Sequence, residues 1–309
     1  MSQEGAPVRL VGVVDPDPAR AEAVAREFGC RSFASIQQLT TAHSEVQAAS
    51  VAVPTIHHLS AAQQLMEVGV DVLIEKPLAA SLAEADELIR MAERLGRIVQ
   101  VGHLERFNPA VRAAVPVITR PMFFEVHRLS VFTPRSLDVD VVLDLMIHDL
   151  DIVLSFANSP IKEVRAVGLP ILSGKVDIAN VRLEFESGCI ANFTASRVST
   201  ERVRKLRFFQ PKQYVSLDYG RQDVLVFTVG ADAAAGAPSV NPQIQMAKLP
   251  TTNEEPLHAE LKSFLDSVER RTQPTVTLGD GRRALAVALD IVSAIRTHGK
   301  KIDLDRLHA

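Results

Sequence analysis

An acidic residue and a histidine four positions apart are the first candidates for chemistry in this sequence. Asp144 and His148 lie in the segment 141–154, whose apolar residues recur at helical spacing. Because residues four apart share one face of a helix, the carboxylate can orient the imidazole. An imidazole has an unperturbed pKa near ~6.5 and can take up a proton at neutral pH. The pair indicates a proton-transfer site, although a polar stripe on a surface helix would show the same spacing.

A metal site is another interpretation of the same segment. Asp144, His148 and Asp151 are close enough along the chain to reach one cation. No second histidine or cysteine stands at ligand spacing, so the pattern favours proton transfer over metal binding.

A lysine at the end of an expected buried strand is the second candidate. The run 70–75 is rich in β-branched residues, and the segment Glu75-Lys76-Pro77 follows its core. Open α/β sheets bind ligands beyond the carboxyl ends of their strands, which is where this pattern places Lys76. An ordinary solvated lysine is the alternative.

The elements that must position these residues alternate between strand and helix over the first hundred residues. The expected strands are 8–15, 31–33, 48–53, 70–75 and 98–101, and the expected helices are 18–28, one from about 35, 59–68 and 82–95. Short connections between such elements indicate a parallel sheet with crossover helices, a Rossmann-type arrangement.

Asp15 ends the first expected strand, where an acid of a dinucleotide-binding unit accepts hydrogen bonds from ribose hydroxyls. Capping of the following helix is an equally good reason for an acid there. The glycine-rich loop G-x-G-x-x-G should precede Asp15, but only residues 1–7 lie before the strand. Without the central first strand, its two neighbours would have unpaired backbone groups. We therefore expect the chain to be shortened at its N-terminus relative to a working ancestor.

The pattern changes after residue 101. A hinge-like segment, 102–109, precedes a helix from 110, a strand at 121–131 and the helix at 141–156. Short strands in series then follow to about residue 229, a small-residue loop spans 231–242, and helices at 257–271 and 281–297 close the chain. Strands joined by short turns indicate a mainly antiparallel sheet. We expect a truncated Rossmann domain at 1–105 and an α+β domain at 106–309.

The composition excludes several classes of partner. The 309 residues are 47% hydrophobic and 23% charged with a net charge of −3, so neither nucleic acid nor an anionic membrane is expected as a partner. No apolar run reaches the roughly 18 residues that span a bilayer. Cys30 and Cys189 form no paired motif, and the N-terminus lacks the features of a signal peptide. Free thiols in a cytoplasmic protein are the expectation.

Four segments together resemble the Gfo/Idh/MocA oxidoreductases. They are Pro54 with His58, Glu75-Lys76-Pro77, the junction segment 102–109, and Asp144 with His148. The resemblance extends in order and spacing over nearly the whole chain. It implies an N-terminal Rossmann domain and, at 106–309, a C-terminal α+β domain for substrate binding and oligomerisation, whose open, mainly antiparallel sheet often forms a homo-oligomer interface. It also implies that NAD or NADP exchanges hydride with a sugar or cyclitol carbon.

The resemblance also implies roles for individual residues. The catalytic residues would be Lys76, His148 and Asp144. The cofactor would be bound by Asp15, Pro54, His58, Glu75, Lys76 and His103. The substrate would be bound by Arg106, Asn108, Asp144 and His148. Because an acid at Asp15 disfavours the additional phosphate of NADP, NAD is the expected cofactor.

Within the family, the junction segment and the Asp144 segment are most similar to dehydrogenases that act on a nucleotide sugar. Those enzymes oxidise the 3-hydroxyl of UDP-N-acetylglucosamine to a ketone, ahead of 2,3-diamino sugars of lipid A. A dehydrogenase of another sugar or cyclitol is the alternative. A non-catalytic regulator that binds dinucleotide or sugar, and an inactive truncated remnant, are further alternatives.

Overall fold

The structure is a computed structural model that describes residues 8–133, 139–230 and 244–301 of the chain. Internal contacts divide the chain into two units. The first comprises residues 1–101 and 263–278, and the second comprises 102–262 and 279–309. The first unit thus includes a C-terminal segment that the sequence did not indicate. The domain boundary expected after residue 105 stays a prediction.

Strands and helices alternate in the first unit. The strands are β1 (Gly12–Val14), β2 (Arg31–Phe33), β3 (Ala48–Val51), β4 (Asp71–Glu75) and β5 (Val99–Gly102), and the helices are α1 (Pro18–Phe28), α2 (Ile36–Ala42), α3 (His58–Glu67) and α4 (Leu82–Leu95). The expected limits of α1 are confirmed: the Asp17 side chain caps its first turn, and Gly29 ends it at a φ of 66°. That left-handed conformation is one that glycine adopts without a steric penalty.

The parallel strands of the first unit form two sheets. One contains β1 and β2, and the other has the order β3-β4-β5. The expected buried strand at 8–15 is wrong in length and burial, because β1 spans only Gly12–Val14 and is half-buried. Val8 and Leu10 before it are 40% and 54% exposed. Within the described residues β1 has one strand neighbour, so it lacks the second neighbour that would bury it.

The centre of the first unit is β4. Val72, Leu73 and Ile74 are almost completely buried. Helix α3 packs against β3, β4 and α4. A strand buried in this way holds the position of its carboxyl end, and Lys76 follows directly after that end.

An eight-stranded sheet forms the second unit. Its strands are β6 (Phe123–Val131), β7 (Ile161–Leu169), β8 (Ile178–Phe185), β9 (Ile190–Ser199), β10 (Val203–Gln210), β11 (Gln213–Asp218), β12 (Asp223–Val229) and β13 (Ile244–Lys248). The order is β13-β12-β11-β10-β6-β9-β8-β7. Among the described strand pairs of this sheet only β6–β9 is parallel, which confirms the expected mainly antiparallel sheet. The loop expected at 231–242 lies outside the described residues, and β13 after it was not expected.

Helices cover one face of this sheet. They are α5 (Pro109–Ala114), α6 (Ile147–Ala157) and α8 (Leu278–Lys301), while α7 (Pro256–Arg270) runs from the second unit into the first. Side chains from α5, α6 and α8 share one apolar core with the inward residues of β6 and β8–β12. Phe124 and Phe208 lie opposite one another in that core, in neighbouring strands. The core therefore holds α6, which carries His148, against the sheet.

The opposite face of the sheet carries a row of aromatic rings, here called the outer aromatic row: Phe123, Phe209, Tyr214 and Phe227. Successive ring centroids are 5.7, 4.8 and 5.2 Å apart. Phe209 is 38% exposed. The row is an apolar surface on the side of the sheet away from the core.

No helix among residues 8–133, 139–230 and 244–301 has the length and apolar character that crossing a membrane requires.

Candidate functional site

The segment that carries Asp144 and His148 differs from the expected single α-helix. A π-helical turn, Val142–Met146, precedes α6, and the N–H of Ile147 donates to the carbonyl of Val142. Such turns occur mostly as short insertions and are frequent at functional sites. Val142, Met146 and Ile147 are buried, whereas Asp144 and His148 are only half-buried. Leu143 and Leu145 are half-buried as well, so the two candidate residues belong to the less buried part of the segment.

Asp140 fixes the start of this segment. Its carbonyl accepts hydrogen bonds from the N–H groups of Leu143 and Asp144, each at 3.0 Å. Its carboxylate accepts one from the N–H of Val176 at 3.0 Å, and the N–H of Val141 donates back to the Val176 carbonyl. The chain entering the π-helical turn is thus tied to the segment before β8.

A buried ion-pair network lies next to His148. Arg128 donates two hydrogen bonds to Asp149, with Nε–Oδ2 2.6 Å and Nη2–Oδ1 3.1 Å, and a third to Glu105 at 3.0 Å. The Arg128 guanidinium also lies 5.2 Å from the ring centroid of Tyr219. Burial alone would lower the pKa of Arg128, but the two carboxylates raise it above its ordinary value. The guanidinium is therefore charged. Its hydrogen bonds connect Asp149, the residue after His148, to β6.

A second ion pair joins the partly buried Arg106 to Asp151, a buried residue of α6. The Nε and Nη2 atoms of Arg106 lie 2.5 and 2.9 Å from the carboxylate oxygens of Asp151, and its Nη2 lies 3.8 Å from Asp280. Asp151 is buried. Together with the Asp149 contact, this pair fixes the rotation of α6 about its axis and with it the side on which His148 stands.

Asn108 bonds within the chain. Its amide donates to Glu105 at 3.0 Å and to the Tyr219 carbonyl at 3.1 Å, and its side-chain oxygen caps α5 by accepting from Ala110. Asn108 and His103 are both buried. The expected cofactor contact of His103 and the expected substrate contacts of Arg106 and Asn108 stay predictions. The structure gives Arg106 and Asn108 a supporting role in the second unit.

In the first unit, Lys76 is half-buried immediately after β4, and the Lys76–Pro77 peptide bond is cis. The Lys76 N–H donates to the Glu75 carboxylate at 3.2 Å. Pro54, in the segment that follows β3, is exposed. His58 is 1% exposed, and its ring contacts backbone carbonyls after both strands. The cofactor roles expected of Pro54, His58, Glu75 and Lys76 stay predictions.

Asp15 follows β1 and keeps a partly exposed carboxylate, which accepts hydrogen bonds from the Asp17 N–H at 2.8 Å and from Arg20 at 3.3 Å. The alternative that Asp15 caps α1 is wrong, because the Asp17 side chain accepts from the N–H groups of Ala19 and Arg20. Asp15 is therefore not the N-cap residue of α1. Its side chain remains 25% exposed, which suits a ribose contact.

Sequence reasoning missed another buried carboxylate, Asp177. Its carboxylate accepts hydrogen bonds from the backbone N–H groups of Ile171, Leu172 and Ser173 at 2.6 to 2.8 Å. The Ser173 hydroxyl adds a further one at 2.6 Å. Burial would raise the pKa of Asp177, but these hydrogen bonds lower it to about 2. An acid just before a strand does not indicate in the sequence that the backbone N–H groups of a preceding turn will bond to it.

The buried arginine had a signal that could have been used. Side chains alternate along β6, and Phe124 and Val126 point into the core. Arg128 follows in the same alternation, so it had to be buried and to require acidic partners. The partners come from distant parts of the chain and could not be identified. Within the described residues, no cluster of three or more His, Cys, Asp and Glu side chains is placed to hold a metal ion.

Comparison with known proteins matches both halves of the chain. Residues 1–103 match the profile "Oxidoreductase family, NAD-binding Rossmann fold", and residues 85–212 match "GFO/IDH/MocA C-terminal domain". The UDP-N-acetylglucosamine 3-dehydrogenase of Acidithiobacillus ferrooxidans is 36% identical over 93% of this chain and 90% of that protein. The scyllo-inositol 2-dehydrogenase (NAD(+)) of Bacillus subtilis is 30% identical over 62% of this chain and 60% of that protein.

Solved structures give the same result for the fold. The crystal forms of the Acidithiobacillus ferrooxidans UDP-N-acetylglucosamine 3-dehydrogenase superpose with a TM-score of 0.85 at 34% identity, covering 93% of this chain and 90% of that chain. A probable dehydrogenase from Thermotoga maritima superposes with a TM-score of 0.76 at 21% identity, covering 94% and 91%. At that lower identity the likeness concerns the fold alone.

Proposed function

Because this chain belongs to the Gfo/Idh/MocA family of NAD(P)-dependent oxidoreductases acting on CH–OH groups, we propose that its substrate is UDP-N-acetylglucosamine. The reaction is oxidation of the 3-hydroxyl to a ketone, as a step towards 2,3-diamino sugars of lipid A in the cytoplasm. The observation that carries this proposal is the 36% identity to a UDP-N-acetylglucosamine 3-dehydrogenase across 93% of the chain. The cyclitol dehydrogenase relative matches a smaller share, 62%, which makes a cyclitol the second candidate.

In the proposed mechanism, His148 acts as the general base and accepts the proton of the substrate hydroxyl. Lys76 donates a hydrogen bond to the same oxygen and stabilises the negative charge that develops there. Asp144 orients the substrate or the imidazole. The nicotinamide dinucleotide, when bound, supplies the hydride acceptor for this chemistry. The half-burial of Asp144 and His148 supports these roles, since both residues lie outside the fully buried part of the segment, which includes Val142, Met146 and Ile147.

NAD is the proposed cofactor, with Asp15 as the residue that selects it. The carboxylate is partly exposed at the end of β1, and it has lone pairs left to accept hydrogen bonds from ribose hydroxyls. The 2′-phosphate of NADP would meet a negative charge there. We expect Asp15→Ser to lower the preference for NAD, measured as kcat/KM with NAD divided by kcat/KM with NADP. An unchanged ratio would remove Asp15 from this role.

Turnover of the nucleotide sugar tests the proposal. The 309-residue protein is incubated with NAD and UDP-N-acetylglucosamine, and reduced cofactor is followed by its near-ultraviolet absorbance. Mass spectrometry should show a product lighter by two hydrogen atoms. Scyllo-inositol and myo-inositol serve as competing substrates. Turnover of an inositol but not of the nucleotide sugar would establish the second candidate instead.

A thermal-shift titration separates catalysis from binding. A ligand at 100 times its Kd stabilises a protein by about 2.7 kcal/mol. A shift with NAD but no turnover of any tested substrate would favour a non-catalytic regulator. No shift and no turnover would favour an inactive remnant.

We also propose that two copies of the chain associate through the outer aromatic row. Its rings lie on the sheet face away from the core, and Met246, 66% exposed, lies beside Phe227 in the neighbouring strand. An exposed apolar face of this kind is typical of an interaction surface. We expect Phe209→Asp to reduce the mass measured by light scattering to that of one chain, while Lys162→Asp, at an exposed position on β7, leaves it unchanged.

A further inference from the structure

His58 occupies an unusual position for a histidine in the first unit. It is the first residue of α3 and is 1% exposed. Its Nε2 lies 2.9 Å from the carbonyl oxygen of Val53, which follows β3. Its Nδ1 lies 3.0 Å from the carbonyl oxygen of Pro77 and 3.3 Å from that of Leu78, both of which follow β4. One ring thus bridges the segments that follow two neighbouring strands.

All three contacts of the ring are hydrogen-bond acceptors. A carbonyl oxygen accepts and never donates, so a ring nitrogen bonds here only when it carries a hydrogen. A neutral imidazole carries one N–H and holds one side of the bridge, and both sides are bonded at once only when both nitrogens carry a hydrogen. Val53 stands directly before Pro54, and Pro77 directly after Lys76. The ring therefore lies between two backbone carbonyls next to residues expected in the cofactor site, and both of its nitrogens face those carbonyls.

We infer that His58 is a positioning residue for Lys76. By binding the carbonyls of Pro77 and Val53 it fixes the backbone from which the Lys76 side chain extends. The inference rests on the proposed function in one respect, since it takes Lys76 as the group that contacts the reacting oxygen. It replaces a direct contact of the His58 ring with the cofactor. A displacement of about 1 Å at a reacting group can reduce a rate by about 10²-fold.

Two substitutions separate the two sides of the bridge. Counting bonds from Cα, the amide nitrogen of asparagine corresponds to Nδ1 of histidine, and that of glutamine to Nε2. His58→Asn therefore keeps a donor for Pro77, next to Lys76, and His58→Gln keeps one for Val53. We expect His58→Gln to lower kcat by about 10²-fold and His58→Asn to lower it by clearly less. The KM for the nucleotide sugar should change little in either variant.

The matched control is His43→Gln. His43 lies in the same unit, bonds to Glu45 at 3.0 Å and packs edge-on against Phe33. It makes none of the contacts of His58. A purely structural role for His58 would lower the thermal midpoint while leaving kcat per folded molecule unchanged. It would also make the Asn and Gln variants equal, and either result would overturn the inference.

A second measurement does not depend on turnover. Reductive methylation with ¹³C-formaldehyde gives each lysine an NMR signal, and the Lys76 signal is the one missing from Lys76→Arg. We expect His58→Gln to shift that signal and His43→Gln to leave it in place. If the wild-type protein is inactive but the signal shifts, the positioning stands and the proposed function fails. An unshifted Lys76 signal in His58→Gln overturns the positioning whatever the activity.

Discussion

Replacing Arg128 by methionine should strongly destabilise the second unit. The guanidinium is the cation between Asp149 and Glu105, and the three side chains are 5%, 2% and 11% exposed. Methionine fills a similar volume but leaves the two carboxylates buried without a neighbouring cation. Removing one partner of a buried ion pair typically costs about 3–5 kcal/mol, because the remaining charge has no compensation. That is a large share of the ~5–15 kcal/mol by which proteins are usually stable.

The composition provides a probe for this unit. The sequence has no tryptophan and only two tyrosines, Tyr214 and Tyr219, both in the second unit. Tyrosine fluorescence during urea unfolding therefore follows the second unit, while circular dichroism follows both. We expect the fluorescence midpoint of Arg128→Met to fall far below that of the wild type, without an equal fall for the first unit.

The control is Arg165→Met, which removes the same functional group from the exposed ion pair between Arg165 and Glu163. The Arg165–Glu163 distance, 2.7 Å, is close to the 2.6 Å between Arg128 and Asp149, but the Arg165 and Glu163 side chains are 73% and 44% exposed. Solvent screens such pairs, so the midpoint should stay at the wild-type value. If Arg128→Met lowers the midpoint no more than Arg165→Met does, burial does not set the strength of this network, and the reasoning is refuted.

Three further predictions concern single side chains. His148→Asn should lower kcat by about 10²–10⁴-fold with little change in the thermal midpoint, as measured by steady-state kinetics, because it removes the proposed base and little packing. Asp177→Asn should lower the free energy of unfolding by about 2 kcal/mol at neutral pH, as measured by urea titration. The folded pKa of about 2 lies below the ordinary 3.8, so this stabilisation is complete above 3.8 and is lost as the pH falls through 2; a deficit that persists at the lowest pH would contradict the assignment. Burial raises the pKa of the Cys189 thiol to about 11, so a thiol reagent at neutral pH should modify only the partly exposed Cys30 in the folded protein and both cysteines after unfolding; loss of the native reaction in Cys30→Ser provides the check.

Local signals located most elements of the fold. Helix α4 begins after Ser81, whose hydroxyl accepts from the Glu84 N–H, and it ends at Gly96 with a φ of 61°. Both were visible in the sequence because capping depends on residues a few positions apart. The π-helical turn before α6 was not, since its apolar residues fit an α-helix equally well. Its geometry depends on contacts such as that of Asp140 with Val176, which the sequence does not specify.

The split of the parallel strands shows a different limit. The residues of β1 have the composition of a buried strand, yet burial depends on what lies beside a strand. In the described part of the chain β1 pairs only with β2, and β3 pairs only with β4. A single sequence reports the preference of a segment for a sheet and leaves open whether neighbours cover both of its edges.

The candidate site shows the same limit for side chains. The family resemblance assigned Arg106 and His58 to a site, and the structure gives both of them partners within the chain: Asp151 for Arg106, and backbone carbonyls for His58. A donor that is already bonded contributes by holding a helix or a loop, and its loss displaces the residues beside it. Kinetics distinguishes the two cases: loss of a substrate contact raises KM, whereas loss of support for His148 or Lys76 lowers kcat. The accessible residues of each motif are therefore the better candidates for catalysis, and the buried ones for its geometry.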